Sequence, residues 1–219
     1  SKVFNNPKTI PTDLSFKNQM ISSYNHAIND DPLVRAYLAI AMGVTADNFY
    51  GNELVLGLKD EARESRLAAI QAVGMVKEVT AVPVLSEIIK TSDYQDERLA
   101  ATMSIGFIGD PSAIPLLNAL LEDEEPNIRW DAAVALAKMG EKSSVRILEN
   151  LMDREYLSSF PELDYKEVNK VIMIAIETST VIKDSRFEPK LVLLAKSDEN
   201  LKIRDAAMKT LKKTYNRII

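Results

Sequence analysis

The side chains best equipped for chemistry in this 219-residue chain are six cations: Arg35, Arg66, Arg98, Arg129, Lys170 and Arg204. They recur at steps of 31, 32, 31, 41 and 34 residues. A solvent-facing ladder of guanidinium groups would clasp phosphates or carboxylates, since the planar fork donates to two oxygens at once. Acids precede nearly every rung, however: Asp30 and Asp31, Asp60, Asp93, Asp123 and Asp198. An Asp that ends one repeat beside an Arg that opens the next is placed to tie neighbouring repeats and to cap a helix start, so the ladder reads as architecture. His26 is the one imidazole, and beside Tyr24 and Ala27 it lacks the partners of metal or triad chemistry. Paired carboxylates such as Glu61 and Glu64, or the run Glu122, Asp123, Glu124 and Glu125, have the groups for acid–base work or cation binding. The run precedes Pro126 in an inter-repeat turn, where such charges are solvated, and the spaced oxygens around a glycine that a Ca²⁺ loop needs are missing. With no cysteine there is no thiolate nucleophile, thiolate metal site or disulfide. Phosphate-cradling glycine loops, Gly-x-Ser-x-Gly elbows and His-Glu-x-x-His helices are also missing, so we expect no enzyme, no cofactor and no metal.

The elements that carry these cations repeat with them. Small or apolar residues stand three, four, six and seven places on, as Ala101, Thr102, Ser104 and Ile105 after Arg98 and Ala132, Ala133, Ala135 and Leu136 after Arg129. This is helical spacing, and a period of 30 to 40 residues predicts stacked helical pairs. Gly43, Gly74 and Gly106, eight places on, let a partner helix approach closely. Gly109 and Gly140, eleven places on, predict left-handed helix ends. Asp110 and Pro111 then open a second helix whose apolar face is Ala113, Ile114, Leu117, Leu120 and Leu121, echoed by Ala81, Val82, Pro83, Leu85, Ile88 and Ile89 one repeat earlier.

This order of Val or Ile, Arg, alanines, Gly and a proline-led second helix resembles the HEAT repeat, and more narrowly the short bacterial and archaeal form grouped with the phycobilisome-lyase HEAT-like repeats. The resemblance covers roughly residues 30–219 and is strongest in repeats two to four. It implies an all-α fold, a right-handed superhelix of about five antiparallel helix pairs plus capping helices, with the second helices lining a concave face. It implies no reaction. Repeat five departs from the pattern at Lys170, Glu177 and Thr178, which reads as a bent or recognition-bearing repeat. HEAT-like di-iron hydroxylases carry repeated His-Glu pairs, which this sequence lacks, whereas bilin lyases have repeats like these.

Composition agrees with an all-helical chain: 46% hydrophobic residues, seven glycines and 6% aromatics supply a core but few sheet turns. A net charge of −5 argues against a surface tuned throughout to a phosphate backbone. No apolar run reaches membrane-spanning length. Residues 1–12, with Pro7 and Pro11, read as an extended arm, 13–29 as an N-terminal cap helix opened by Asp13, 30–200 as the repeats and 201–219 as a C-terminal cap helix, all of 13–219 forming one solenoid domain. The chain starts at Ser1, so an upstream piece is allowed for; a cytoplasmic location is favoured, with export open.

For function, these readings favour a non-enzymatic scaffold with a protein or peptide partner. The expected concave stripe runs Asn52, Val55, Lys59, Ser86, Glu87, Lys90, Asn118, Glu122, Arg146, Glu149, Asn150 and Asp153, mixed in charge and suited to a polar partner surface rather than a nucleic acid groove. The longer step before Lys170 adds a stretch, Arg154 to Tyr165, expected as an edge loop offering Tyr156, Phe160 and Tyr165 as anchors or folding those rings inward. Phe49 and Tyr50 pose the same choice in repeat one. Two other readings are a bilin-lyase-type enzyme or chaperone subunit, and a weak nucleic-acid or anionic-surface binder using the last helix, where six cations face one acid, Asp205. The sequence leaves oligomeric state and partner identity open.

Overall fold

A computed structural model describes residues 13–27 and 31–219; the predicted arm at 1–12, with Ile28, Asn29 and Asp30, lies outside the described residues. Thirteen α-helices and no strand occur among the described residues. The chain forms two compact units, one ending at Ala113 and the other running Ile114–Ile219.

The first unit holds α1 (Leu14–Ala27), α2 (Pro32–Val44), α3 (Gly51–Gly57), α4 (Arg63–Met75), α5 (Val82–Thr91) and α6 (Gln95–Ile108). Each repeat punctuates itself in the same way. Eleven places after the basic residue the backbone turns left-handed, at Ala46, Lys77 and Gly109. The next residue is an acid, Asp47, Glu78 or Asp110, whose carboxylate accepts the amide hydrogen two residues on. A 3-10 turn follows: Asn48–Tyr50, Val79–Ala81 and Pro111–Ala113. Glycine was predictable at 109; at 46 and 77 an Ala and a Lys accept the same conformation at a cost of about 1 kcal/mol.

Between repeats the first helices pack most closely. A Cβ on Gly43 would stand 2.9 Å from Ala72 Cα, and one on Gly74 would stand 2.8 Å from Ser104 Cα. The predicted close approach is real at both. Ser104 Oγ, 2% exposed, donates to the Ile70 carbonyl at 2.7 Å and stitches α6 to α4. At the N-terminal end, Tyr24 of α1 is buried, and its hydroxyl occupies the space that a side chain on Gly57 would need.

The second unit holds α7 (Ile114–Leu120), α8 (Pro126–Lys138), α9 (Val145–Leu151), α10 (Arg154–Ser158), α11 (Tyr165–Ile182), α12 (Phe187–Ser197) and α13 (Leu201–Tyr215). Its core runs from Ala137, Val145, Leu148 and Leu151 through Leu157, Ile172 and Ile176 to Phe187, Leu191, Ile203 and Leu211. Gly140 is left-handed at φ 85°, as predicted. The inserted stretch is not the loop expected of it. Asp153 accepts from the Glu155 and Tyr156 amides and starts α10, Leu157 is fully buried, and Asp164 with Glu167 forms a reciprocal capping box on α11.

Candidate binding face

Four rungs of the cation ladder, Arg35, Arg66, Arg98 and Arg129, are spent on structure, while Lys170 is exposed and Arg204 Nε is buried with no hydrogen-bond partner among the described residues. Arg35, 6% exposed, forms a bidentate pair with Asp60 at 2.6 and 2.8 Å, and donates to the Ala27 carbonyl. Arg66 donates to Glu97 at 2.7 and 3.0 Å and to the Asp60 carbonyl. Arg98 donates to the Ile89 carbonyl in the last turn of α5, and Arg129 to the Asp123 and Glu124 carbonyls of the turn before it. The pairing direction differs from the expected one: Asp60 serves the arginine that opens its own repeat, and Arg66 reaches forward. Burial alone would raise the Asp60 carboxyl, yet hydrogen bonds from Arg35, Ser65 and the Ala62 amide hold it below the usual carboxylate range. Arg154, which the repeat pattern did not mark, makes the matching clasp in the second unit, to Asp198 at 2.7 and 2.9 Å and to Asn169. An Asp ending one segment was its only signal.

The predicted anchors divide. Tyr50 is 1% exposed, its hydroxyl 3.5 Å from the Met20 sulfur, and is a core residue rather than an anchor; α1 packs over the site a partner would need. Phe49 is exposed, edge-on to Tyr50, with the Lys17 ammonium 5.2 Å from its ring centre. Tyr156 and Phe160 are half-buried and converge on Trp130: ring centres lie 4.8 Å apart for Trp130 and Phe160 and 5.2 Å for Tyr156 and Phe160, both edge-to-face. Trp130 Nε1 donates to Tyr156 Oη at 3.4 Å. Tyr165 is exposed beside Arg154. Glu87, Glu122 and Arg146 are exposed, while Glu149 and Asn150 are half-buried. Asn118 is half-buried too and turns its amide onto the Ile114 carbonyl.

The expected concave stripe needs correction, because it assumed that the second helices form the inner layer. In the first unit α2 lies along α4 and α4 along α6, while α3 and α5 make no comparable contact. A two-layer stack bends toward the layer whose members sit closer, so α2, α4 and α6 form the inner layer and Asn52, Val55, Lys59, Ser86, Glu87 and Lys90 lie on the outer one. The second unit repeats this, with α8, α11 and α13 in succession and only a light contact from α9 to α12. Arg146, Glu149 and Asn150 on α9 are likewise on the outer layer.

What the inner layer presents in the first unit is apolar. One, five and nine places after each arginine stand Ala36, Ile40 and Val44 on α2, Leu67, Gln71 and Met75 on α4, and Leu99, Met103 and Phe107 on α6. Steps of four keep each trio on one helical face. None of the nine is buried, and Met75, Met103 and Phe107 are 40%, 43% and 47% exposed. Eight apolar residues and one Gln thus line three neighbouring helices. In the second unit the corresponding places are Trp130, Val134 and Lys138 on α8, Val171, Ala175 and Ser179 on α11, and Asp205, Lys209 and Lys213 on α13; Trp130, Ala175 and Ser179 are buried, and α13 is charged at all three.

Comparison with known proteins fits this geometry. The HEAT-repeat family profile matches residues 25–106 and again 91–158. This chain is a HEAT-repeat protein. No curated protein sequence matches it. Among solved structures, the CpcE–CpcF complex of phycocyanin lyase from Nostoc sp. is similar at TM-score 0.55 and 18% identity, covering 94% of this chain and 86% of the other. Escherichia coli YibA is similar at TM-score 0.58 and 19% identity, covering 94% and 73%. At such identity the likeness is one of fold. HEAT repeats give this chain a stacked scaffold, and what the scaffold carries is set by its exposed residues.

Proposed function

We propose that this HEAT-repeat chain is a non-enzymatic scaffold that binds a protein partner on the inner layer of its first unit. The observation that carries the reading is the apolar stripe of Leu67, Met75, Leu99, Met103 and Phe107, set at matching places on consecutive helices and left accessible to solvent. Apolar surface in register across several elements marks an interaction face, whereas isolated exposed apolar residues do not. Support also comes from how the reactive residue types are used. Asp60, Glu97 and Asp198 are bonded by arginines, Glu78 by Asn48 and Thr80, and His26 Nδ1 is hydrogen-bonded to the Ser22 carbonyl on the exposed side of α1.

The test compares capture of lysate proteins by three versions of the chain under identical salt. Met75→Asp with Met103→Asp should abolish capture of a stoichiometric partner with helicity unchanged, while Glu87→Lys with Lys90→Glu on the outer layer should leave it intact. The reverse pattern would return the binding site to the outer stripe.

A further inference from the structure

The stripe has an asymmetric border, and the border specifies what fits it. Resting on the binding face proposed above, this border selects the chemistry of the partner segment. At the N-terminal ends of α4 and α6 stand Glu61, Glu64, Asp93 and Asp96, all exposed. Arg63 neutralises Asp96 and stacks over the Tyr94 ring, 4.5 Å from its centre. Glu61, Glu64 and Asp93 have no side-chain hydrogen bond or ion pair among the described residues. Glu64 lies three residues before Leu67 and therefore on the same helical face as the stripe. The arginines that might offset these carboxylates, Arg35, Arg66 and Arg63, are already committed to Asp60, Glu97 and Asp96. The apolar floor thus has an acidic rim along one end, within a chain of net charge −5.

We infer that the occupant is an amphipathic helical segment of a partner protein, apolar on one face and rich in Lys or Arg along the edge that meets Glu61, Glu64 and Asp93. Three neighbouring helices at about 10 Å spacing make a floor about 20 Å across. A helix of about 13 residues spans that distance at 1.5 Å per residue. Such a segment buries its apolar face against Leu67, Met75, Leu99 and Met103, in the way helices seat in apolar grooves, while its cations meet the rim. The rim sets selectivity and association rate, and the floor sets residence.

The probe is a fluorescent 14-residue peptide with Leu at positions i, i+3, i+4, i+7 and i+11 and Lys elsewhere, compared by anisotropy with a twin carrying Glu in place of Lys. The Lys peptide should bind at least about tenfold more tightly than its twin at low salt, with the gap narrowing as salt rises. Glu61→Lys with Glu64→Lys should invert the preference without changing helicity. Met75→Asp with Met103→Asp should remove binding of both peptides. Equal binding of the two peptides, or no effect of the rim reversal, overturns the basic-segment inference while leaving the face in place if partner capture still depends on Met75 and Met103. Concentration-dependent self-association that the stripe variants abolish, with no binding of the Lys peptide, overturns it in favour of a second copy of the chain.

Discussion

At the scale of single residues, Asp131 is the side chain whose environment departs furthest from its sequence context. It sits on α8 in the place filled by Ala68 and Ala100 in earlier repeats, and is half-buried. Burial pushes its carboxyl up to about 6, with Lys138 and Lys170 pulling the other way. The folded value lies above the unfolded one near 4, so the folded state holds the proton more tightly. Stability from this group is therefore complete below about pH 4 and is lost as pH rises to about 6. Asp131→Asn removes the titration. Its stability relative to the parent, from urea unfolding, should rise by on the order of 2 kcal/mol between pH 4 and pH 7. An unchanged difference across that range would show that Asp131 is solvated in the folded protein.

At the scale of elements, the same physics explains what could and could not be read from the chain. Gly109 and Gly140 announced their turns because glycine is the residue that takes a left-handed backbone without strain. Ala46 and Lys77 occupy the same place unannounced, since the flanking helices and the acidic cap impose the conformation on ordinary residues. The helix pairs, their period and the glycine contacts were legible. The choice of inner layer was not, because register within a pair says which residues face away from the partner helix but not which layer packs more tightly. The apolar stripe was hidden for the same reason, because apolar residues at helical spacing are equally the pattern of a buried core. In the inserted stretch, the longer step before Lys170 suggested a loop, while Asp153 as a helix cap and Leu157 as core decide α10. A consequence follows for its rings. Phe160→Ala opens the space against Trp130, and at half burial the loss should be about 2 kcal/mol. Trp130 fluorescence and thermal melting should both shift. A variant that melts like the parent would instead free Phe160 to serve as a surface anchor.

At the scale of the whole molecule, each compact unit is clasped by its own arginine–carboxylate pair, buried Arg35 with Asp60 in the first and half-buried Arg154 with buried Asp198 in the second. In repeat arrays stability is close to a sum of local terms and nearest-neighbour contacts, so damage at one clasp stays near it. Arg35→Ala leaves the Asp60 carboxylate, 9% exposed, with Ser65 and the Ala62 amide as its remaining donors among the described residues, and breaking a largely buried pair in this way costs about 3 kcal/mol. The loss should appear by amide hydrogen exchange as weakened protection in α2 and α4, whose contact the pair supports, with α11 and α13 keeping theirs. Arg154→Ala should give the mirror result, loosening α10 to α13 while α2 and α4 stay protected, because Arg154 joins α10 to Asn169 on α11 and to Asp198 at the end of α12. Uniform loss of protection along the chain in both variants would mean that the array unfolds as one cooperative body and that the clasps stabilise the whole of it. Local loss in each would mean that the inner face of the first unit can be altered for partner binding without disturbing the second.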